Sequence, residues 1–327
     1  MVAKRYLVTG GTGFIGSALV RRLLEDGSTV RVYDNNSRGR ASRLDDVRPH
    51  LEFVEGDIRD SESVANAARG VDSICHLAFV NGTEFFYSQP DLVLDVGIRG
   101  MLSVIDAAKT HGVPELVLAS SSEVYQTPPE VPTDENAPLS IPDPLNPRYS
   151  YGGGKLISEL MAINYGRNLF ERVLIFRPHN VYGPDMGWEH VLPQFVLRMR
   201  ALANATEDPV PFPIQGSGNE TRAFVYIDDF TDGLMMMLEK GKHLSIYHIG
   251  NDEEVSIATV AELVGAYFGR QISVVAGTLA EGGTLRRCPD ISRLVALGFK
   301  PRIALRDGLP ILARWYDENA HQAPDKE

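Results

Sequence analysis

Tyr151 and Lys155 place a phenol and an ammonium four residues apart, which on a helix sets both on one face. A lysine beside a tyrosine lowers the phenol pKa, and a bound cationic cofactor ring lowers it further, giving a base usable near neutral pH. Alone, such a pair recurs by chance on solvated helix faces. Here Gly152, Gly153 and Gly154 fill the turn between them, and each glycine disfavours helix by about 1 kcal/mol relative to alanine. The spacing therefore predicts that another segment approaches this backbone closely. Upstream, the apolar run 117–119 ends in Ser120, Ser121, Ser122 and Glu123. Hydroxyls and a carboxylate at a strand's carboxyl end stand where open parallel sheets bind ligands, although a serine cluster there also makes an ordinary turn or cap. Glu123 reads as a second acid or base, with a solvent-pointing loop residue as its plainer reading.

The elements that must position these groups begin at Gly10, Gly13 and Gly16, between the apolar run 6–8 and a segment with Ala18, Leu19, Leu23 and Leu24 on one face. Strand, glycine loop and helix in that order form a phosphate cradle. Gly10 permits the tight turn, Gly13 lets backbone approach a pyrophosphate, and Gly16 allows close packing, with the helix N-terminus at Phe14 and Ile15 supplying free N–H groups. Eighteen residues beyond Gly16, Asp34 ends the next apolar strand, 29–33. A carboxylate there accepts both ribose hydroxyls of an adenosine and repels a 2′-phosphate, so NAD is expected. Arg38 and Arg40 keep NADP open.

Strand and helix signals alternate through the first half, at 6–8, 15–25, 29–33, 51–54, 61–68, 73–77, 93–111, 116–119, 151–168 and 172–176. This wiring demands an α/β fold with a doubly wound parallel sheet. Seven prolines between 126 and 148 rule out regular structure and suggest a wall or lid over a site. From Pro178 the elements shorten, with joints at 210–218 and 277–283 and a closing helix near 308–319. The expected division is a dinucleotide-binding domain over 1–177, to which 226–240 returns, and a smaller substrate-binding α/β part over 178–327. A hydrophobic content of 43% and a net charge of −11 describe a globular chain with no general basic surface for nucleic acid. Cys75 and Cys288 match neither a zinc spacing nor a redox pair, so no metal is expected and both read as reduced. No stretch approaches membrane-spanning length, and a cytoplasmic location is expected.

The glycine loop, Asp57-Ile58-Arg59-Asp60, His76-Leu77-Ala78, the Ser–Tyr–Lys set and the run from Arg177 to Pro184 together resemble the extended short-chain dehydrogenase/reductase family. The branch most similar is that of the nucleotide-sugar epimerases, dehydratases and decarboxylases. The resemblance implies Ser121, Tyr151 and Lys155 as the catalytic set. It also implies Asp57, Ile58, Leu77 and Ala78 beside NAD, and Asn180, Arg222 and Arg287 toward a nucleotide-diphosphate sugar. Glu189 and His190 follow the Tyr-Gly-Pro turn where relatives contact substrate, and either reads as a further acid or base or as plain loop lining. Ser122 and Glu123 resemble the pair in uronic-acid decarboxylases and mannose dehydratases, whereas simple C4 epimerases carry a small uncharged residue at the second position. The implied reaction is transient C4 oxidation to a 4-keto sugar, by an epimerase or dehydratase. A UDP-glucuronate-type decarboxylase and a catalytically silent NAD(P)-binding regulator are the alternatives. The regulators typically lose the tyrosine or lysine, and both are intact. The resemblance further implies a homodimer through helices 93–111 and 151–168, for which the apolar stripe Met101, Val104, Ile105 and Ala108 is the sequence support. That stripe would equally suit a helix facing the sheet. Two departures from the family pattern are Gln126, where glycine is frequent, and the glycines at 153 and 154, where a small residue such as Ala or Ser is usual.

Overall fold

A computed structural model describes residues 3–202, 204–278 and 284–324. The apolar runs of the first half form β1 (Arg5–Thr9), β2 (Thr29–Asp34), β3 (Glu52–Glu55), β4 (Ser73–His76), β5 (Glu115–Ala119) and β6 (Arg172–Pro178). With the later strand Ser245–Ile249 they make one sheet, in the order Ser245–Ile249, β6, β5, β4, β1, β2, β3. Every neighbouring pair is parallel. Parallel neighbours need crossover connections, and the intervening helices supply them. These are α1 (Phe14–Glu25), α2 (Ser61–Ala67), α3 (Thr83–Ser88), α4 (Pro90–His111), α5 (Ser150–Leu169), α6 (Val191–Ala201) and α7 (Ile227–Lys240).

Successive strand residues point to opposite faces. Leu7, Ile74, Leu116 and Leu118 pack with α2, α4 and α5, while Tyr6, Val8, Cys75 and Val117 pack with α1 and α7. Both faces are covered, which is why the strands read as nearly continuous apolar runs. The chain winds one way from β1 through β3 and the other way from β4 onward, so a crevice opens at the carboxyl ends of β1 and β4. The glycine loop sits in it.

One open reading is decided by the fold and one expectation is corrected. Met101, Val104, Ile105 and Ala108 are wholly buried against the sheet, so the stripe is core, and the apolar residues facing outward are Leu94 and Leu102 on α4 and Ile157, Leu160 and Tyr165 on α5. The proline-rich joint at 210–218 contains a strand, Val210–Pro213, paired in parallel with Ile272–Val275. Val210 and Ile214 donate to the Gln271 and Val275 carbonyls, so Pro211 and Pro213 occupy positions whose missing N–H faces away from the partner. Of the other joint, 277–283, residues 279–283 lie outside the described residues. Cys75 and Cys288 are both free and buried. Among the described residues no helix is long and apolar enough to cross a membrane, and no cluster of His, Cys, Asp and Glu could hold a metal.

Candidate active site

Gly10 adopts φ +74°, and a Cβ there would lie 2.7 Å from the Ala78 backbone nitrogen. Only glycine lets the β1 turn press against the end of β4 in this way. The turn delivers α1 with Gly13 at its N-cap, no capping side chain, and no acidic residue in its first turn. Its N–H groups and dipole therefore face the crevice as an anion site. Asp34 is 8% exposed, and its two oxygens accept the Thr12 and Asn36 N–H groups, each at 2.9 Å. A cavity of about 320 Å³ runs over Asp34, Asp57, Ile58, Leu77 and Ala78. Arg59 donates to the Asp57 carboxylate at 2.7 Å and holds it below the usual carboxylate range. Arg38 pairs with Glu189 and Arg40 with Asp185. Both cations that kept NADP open face carboxylates, and with Asp34 buried at the end of β2 the residues present fit NAD.

A second cavity, of about 450 Å³, shares Gly10, Gly13 and Leu77 with the first and continues over Phe14, Ile15, Gly16, Ser121, Ser122, Glu123, Tyr151, Lys155, Asn180, Glu189, His190 and Arg287. The catalytic candidates from three segments, at 121–123, 151–155 and 189–190, meet in it. The triple glycine has the expected cause: a Cβ on Gly152 would lie 2.5 Å from Gln126 Nε2 and 2.8 Å from the Glu123 carbonyl oxygen. The loop after β5 thus rests directly on α5. Gln126 itself takes φ +55°, the left-handed region that favours the family's glycine, and its amide holds the turn by donating to the Glu123 carbonyl.

Tyr151 is 8% exposed, between Phe86, stacked at 4.9 Å, and Phe79, edge-on at 5.2 Å. Burial raises its phenol pKa, with Glu123 adding to the rise and a hydrogen bond from Ser121 opposing it. Lys155 donates to the Ala119 carbonyl at 2.7 Å, and burial pushes its ammonium down to about 7, against the pull of Glu159. The expected lowering of the phenol by Lys155 is therefore not found in the protein alone. The ammonium is aimed at the end of β5, and burial of the phenol dominates.

Glu123 accepts from Arg287 Nη1 at 2.5 Å. Burial alone would raise this carboxyl, but Arg287, with Arg148 and Arg222 beyond it, holds it below its ordinary value. It is a half-buried carboxylate facing the cavity in a cation-rich corner. Arg222 does not line the cavity. It stands behind the wall, donating to the Thr221 and Thr284 carbonyls, and burial lowers its pKa to about 10. Asn180 donates to the Ala223 carbonyl at 2.8 Å and faces the cavity. Burial lowers the His190 pKa, with Glu189 opposing the shift.

Sequence reasoning missed Phe79, Phe86 and Arg148. The aromatic pair carries no charge signal and reads as core. Arg148 was findable, since it lies three residues before Tyr151 in a chain short of positive charge; its Nε is buried without a hydrogen-bond partner.

Fold and site together describe a dinucleotide-binding α/β protein whose main cavity is lined by Ser121, Tyr151 and Lys155. Residues 6–250 match the model of the NAD dependent epimerase/dehydratase family, and the chain belongs to that family. UDP-glucuronic acid decarboxylase 2 of Arabidopsis thaliana is 31% identical over 315 residues, 95% of this chain and 67% of that protein. A putative UDP-glucose 4-epimerase of Methanocaldococcus jannaschii is 30% identical over 96% of this chain and 98% of its own. Among solved structures, a dTDP-glucose 4,6-dehydratase from Streptomyces venezuelae with NAD bound superposes with a TM-score of 0.86 and 31% identity, over 97% of this chain and 98% of that one.

Proposed function

We propose that this enzyme converts a nucleoside-diphosphate sugar through transient oxidation at C4, as an epimerase or dehydratase. The observation that carries the reading is the meeting of Ser121, Tyr151 and Lys155 with the α1 N-terminus in one cavity. When bound, NAD supplies the acceptor and donor of the C4 hydride. Tyr151 takes the C4 hydroxyl proton, Ser121 holds the oxygen, and Lys155 orders the cofactor side of the cavity. Asn180 and Arg287 receive the diphosphate and sugar, with Ser122 beside them and Arg222 adding positive charge behind the wall. Glu123 acts on the 4-keto sugar at C5.

A second reading, decarboxylation of a nucleoside-diphosphate uronate, is favoured by the Glu123–Arg287 pair. Arg287 is the cation that a C6 carboxylate would meet, and Glu123 is the charge it would displace. Incubation with UDP-glucose, UDP-glucuronate and dTDP-glucose, without added cofactor, separates these outcomes. A chromatographically distinct sugar nucleotide of unchanged mass means epimerisation, loss of water means dehydration, and loss of CO₂ means decarboxylation. No product from any of them defeats the catalytic reading and favours the silent regulator. NAD(H) is expected to stay partly bound through purification, since a closed redox cycle does not require its release. A denatured sample free of nucleotide would count against that cycle. Glu123→Gln, run in deuterated water, is expected to stop turnover after C4 oxidation if C5 chemistry follows. Clean C4 inversion within a few-fold of the parent rate, with no deuterium at C5, removes Glu123 from the mechanism.

Residues 1–177 form the NAD-binding unit in this reading, with 226–240 and the strand Ser245–Ile249 returning to it, and the rest of 178–327 mainly binds the sugar nucleotide. Two copies pair through the outward faces of α4 and α5, where Leu102 and Leu160 are 40% and 52% exposed. Light scattering is expected to give a dimer mass, and a monomer mass for Leu160→Glu. A parent that is already monomeric overturns the pairing. A net charge of −11 is in keeping with a cytoplasmic protein.

A further inference from the structure

Arg38 lines both cavities, at the point where the Asp34 side of the crevice passes into the Tyr151 side. Its guanidinium touches two segments that are far apart in sequence, the start of α3 and the stretch at Glu189. Nη2 donates to Glu189 Oε1 at 2.7 Å, in the stretch just before α6. Its Cζ lies 4.5 Å from the ring centroid of Phe85 in α3. It also rests on the backbone at Gly82, where a Cβ would meet Nη2 at 2.9 Å and Glu189 Oε1 at 3.4 Å. Gly82 has φ +129°, a conformation that side-chain-bearing residues rarely adopt. Phe86, next to Phe85, is the ring stacked on Tyr151. One cation from the cofactor side therefore bolts down the helix that covers the catalytic phenol.

We propose that Arg38 is a positioning residue, a latch that closes α3 over the dinucleotide crevice and sets how long NAD(H) stays bound. Arg38 and Glu189 are 36% and 39% exposed. A pair so exposed is weak and readily opened, which suits a latch better than a permanent strut. Because α3 carries both Phe85 and Phe86, release of Arg38 also loosens the ring that holds Tyr151 in place.

The test is NADH release from the full chain, followed by fluorescence in a stopped flow against excess NAD⁺ with no sugar present, so that failure of the proposed sugar chemistry leaves the readout intact. Arg38→Ala and Glu189→Gln are each expected to speed release by roughly three- to five-fold, and the double variant to be no faster than the faster single, because both remove one interaction. Arg38→Lys keeps the charge but loses the planar face, and is expected to release at an intermediate rate. Release within about two-fold of the parent in both single variants, or effects that multiply in the double, overturns the latch. If Arg38→Ala fails to fold, Glu189→Gln and Arg38→Lys still decide it, since neither changes a buried group.

Discussion

Tyr151→Phe is expected to lose turnover by at least about 10²-fold, the scale of a general base, while NAD(H) binding persists. The substitution removes one oxygen and keeps the ring between Phe79 and Phe86. Packing is therefore preserved, and the loss reads proton transfer. The measurement is single-turnover NADH absorbance together with product analysis, and both signals should vanish together. Near-normal turnover would transfer the base to another group. Lys155→Met should differ by weakening cofactor binding as well, since its ammonium is fixed to the end of β5 through the Ala119 carbonyl. The sign of the pH dependence follows from the phenol. Burial raises the Tyr151 pKa, so C4 oxidation rises with pH until the phenol ionises. A cation brought beside it moves that rise to lower pH.

Much of this site is written locally in the chain. The glycine loop, Asp34, the strand end at Ser120–Glu123 and the Tyr151–Lys155 turn each combine a residue type with a spacing, and it is their order along one βα framework that separates them from ordinary turns and helix faces. Alternating strand and helix signals were sufficient to foresee the parallel sheet, and the observed β6, Arg172–Pro178, extends the expected 172–176 by two residues. What periodicity does not convey is which surface covers an apolar face. The α4 stripe at Met101 and Val104 is equally compatible with sheet and partner, and the sheet takes it. Prolines at 211 and 213 hid a strand because proline's cost depends on which way its missing N–H points. The strand Ser245–Ile249 was also unforeseen; it is short, and the His248 ring finds its hydrogen bonds at Tyr125 and the Asp290 carbonyl, distant in sequence. Arg38 and Glu189, 151 residues apart, carry no mutual signal at all. Pairings of that kind are made by the fold.

Arg177→Met is expected to destabilise the protein by about 3–5 kcal/mol, because it leaves a buried carboxylate without its cation. Arg177 is 1% exposed and Glu159 2%. Nε and Nη2 of Arg177 donate to the two Glu159 oxygens at 2.8 and 2.6 Å, while Nη1 donates to the Tyr125 hydroxyl and to the Glu135 carbonyl. Burial works against the guanidinium's charge, yet Glu159 holds its pKa above the ordinary value. Methionine fills much of the stem's volume, so the loss measures the orphaned charge more than a cavity. Adding Glu159→Gln neutralises that charge and should recover part of the stability, leaving the double variant more stable than Arg177→Met alone. The damage should also reach the active site. Glu159 accepts the Ser120 hydroxyl beside Ser121, lies one turn beyond Lys155, and supports the charge of that ammonium. Urea unfolding of the three variants gives the energies. A loss below about 1 kcal/mol for Arg177→Met would mean that water reaches Glu159 and that the pair is not the buried strut joining β6 to the catalytic helix.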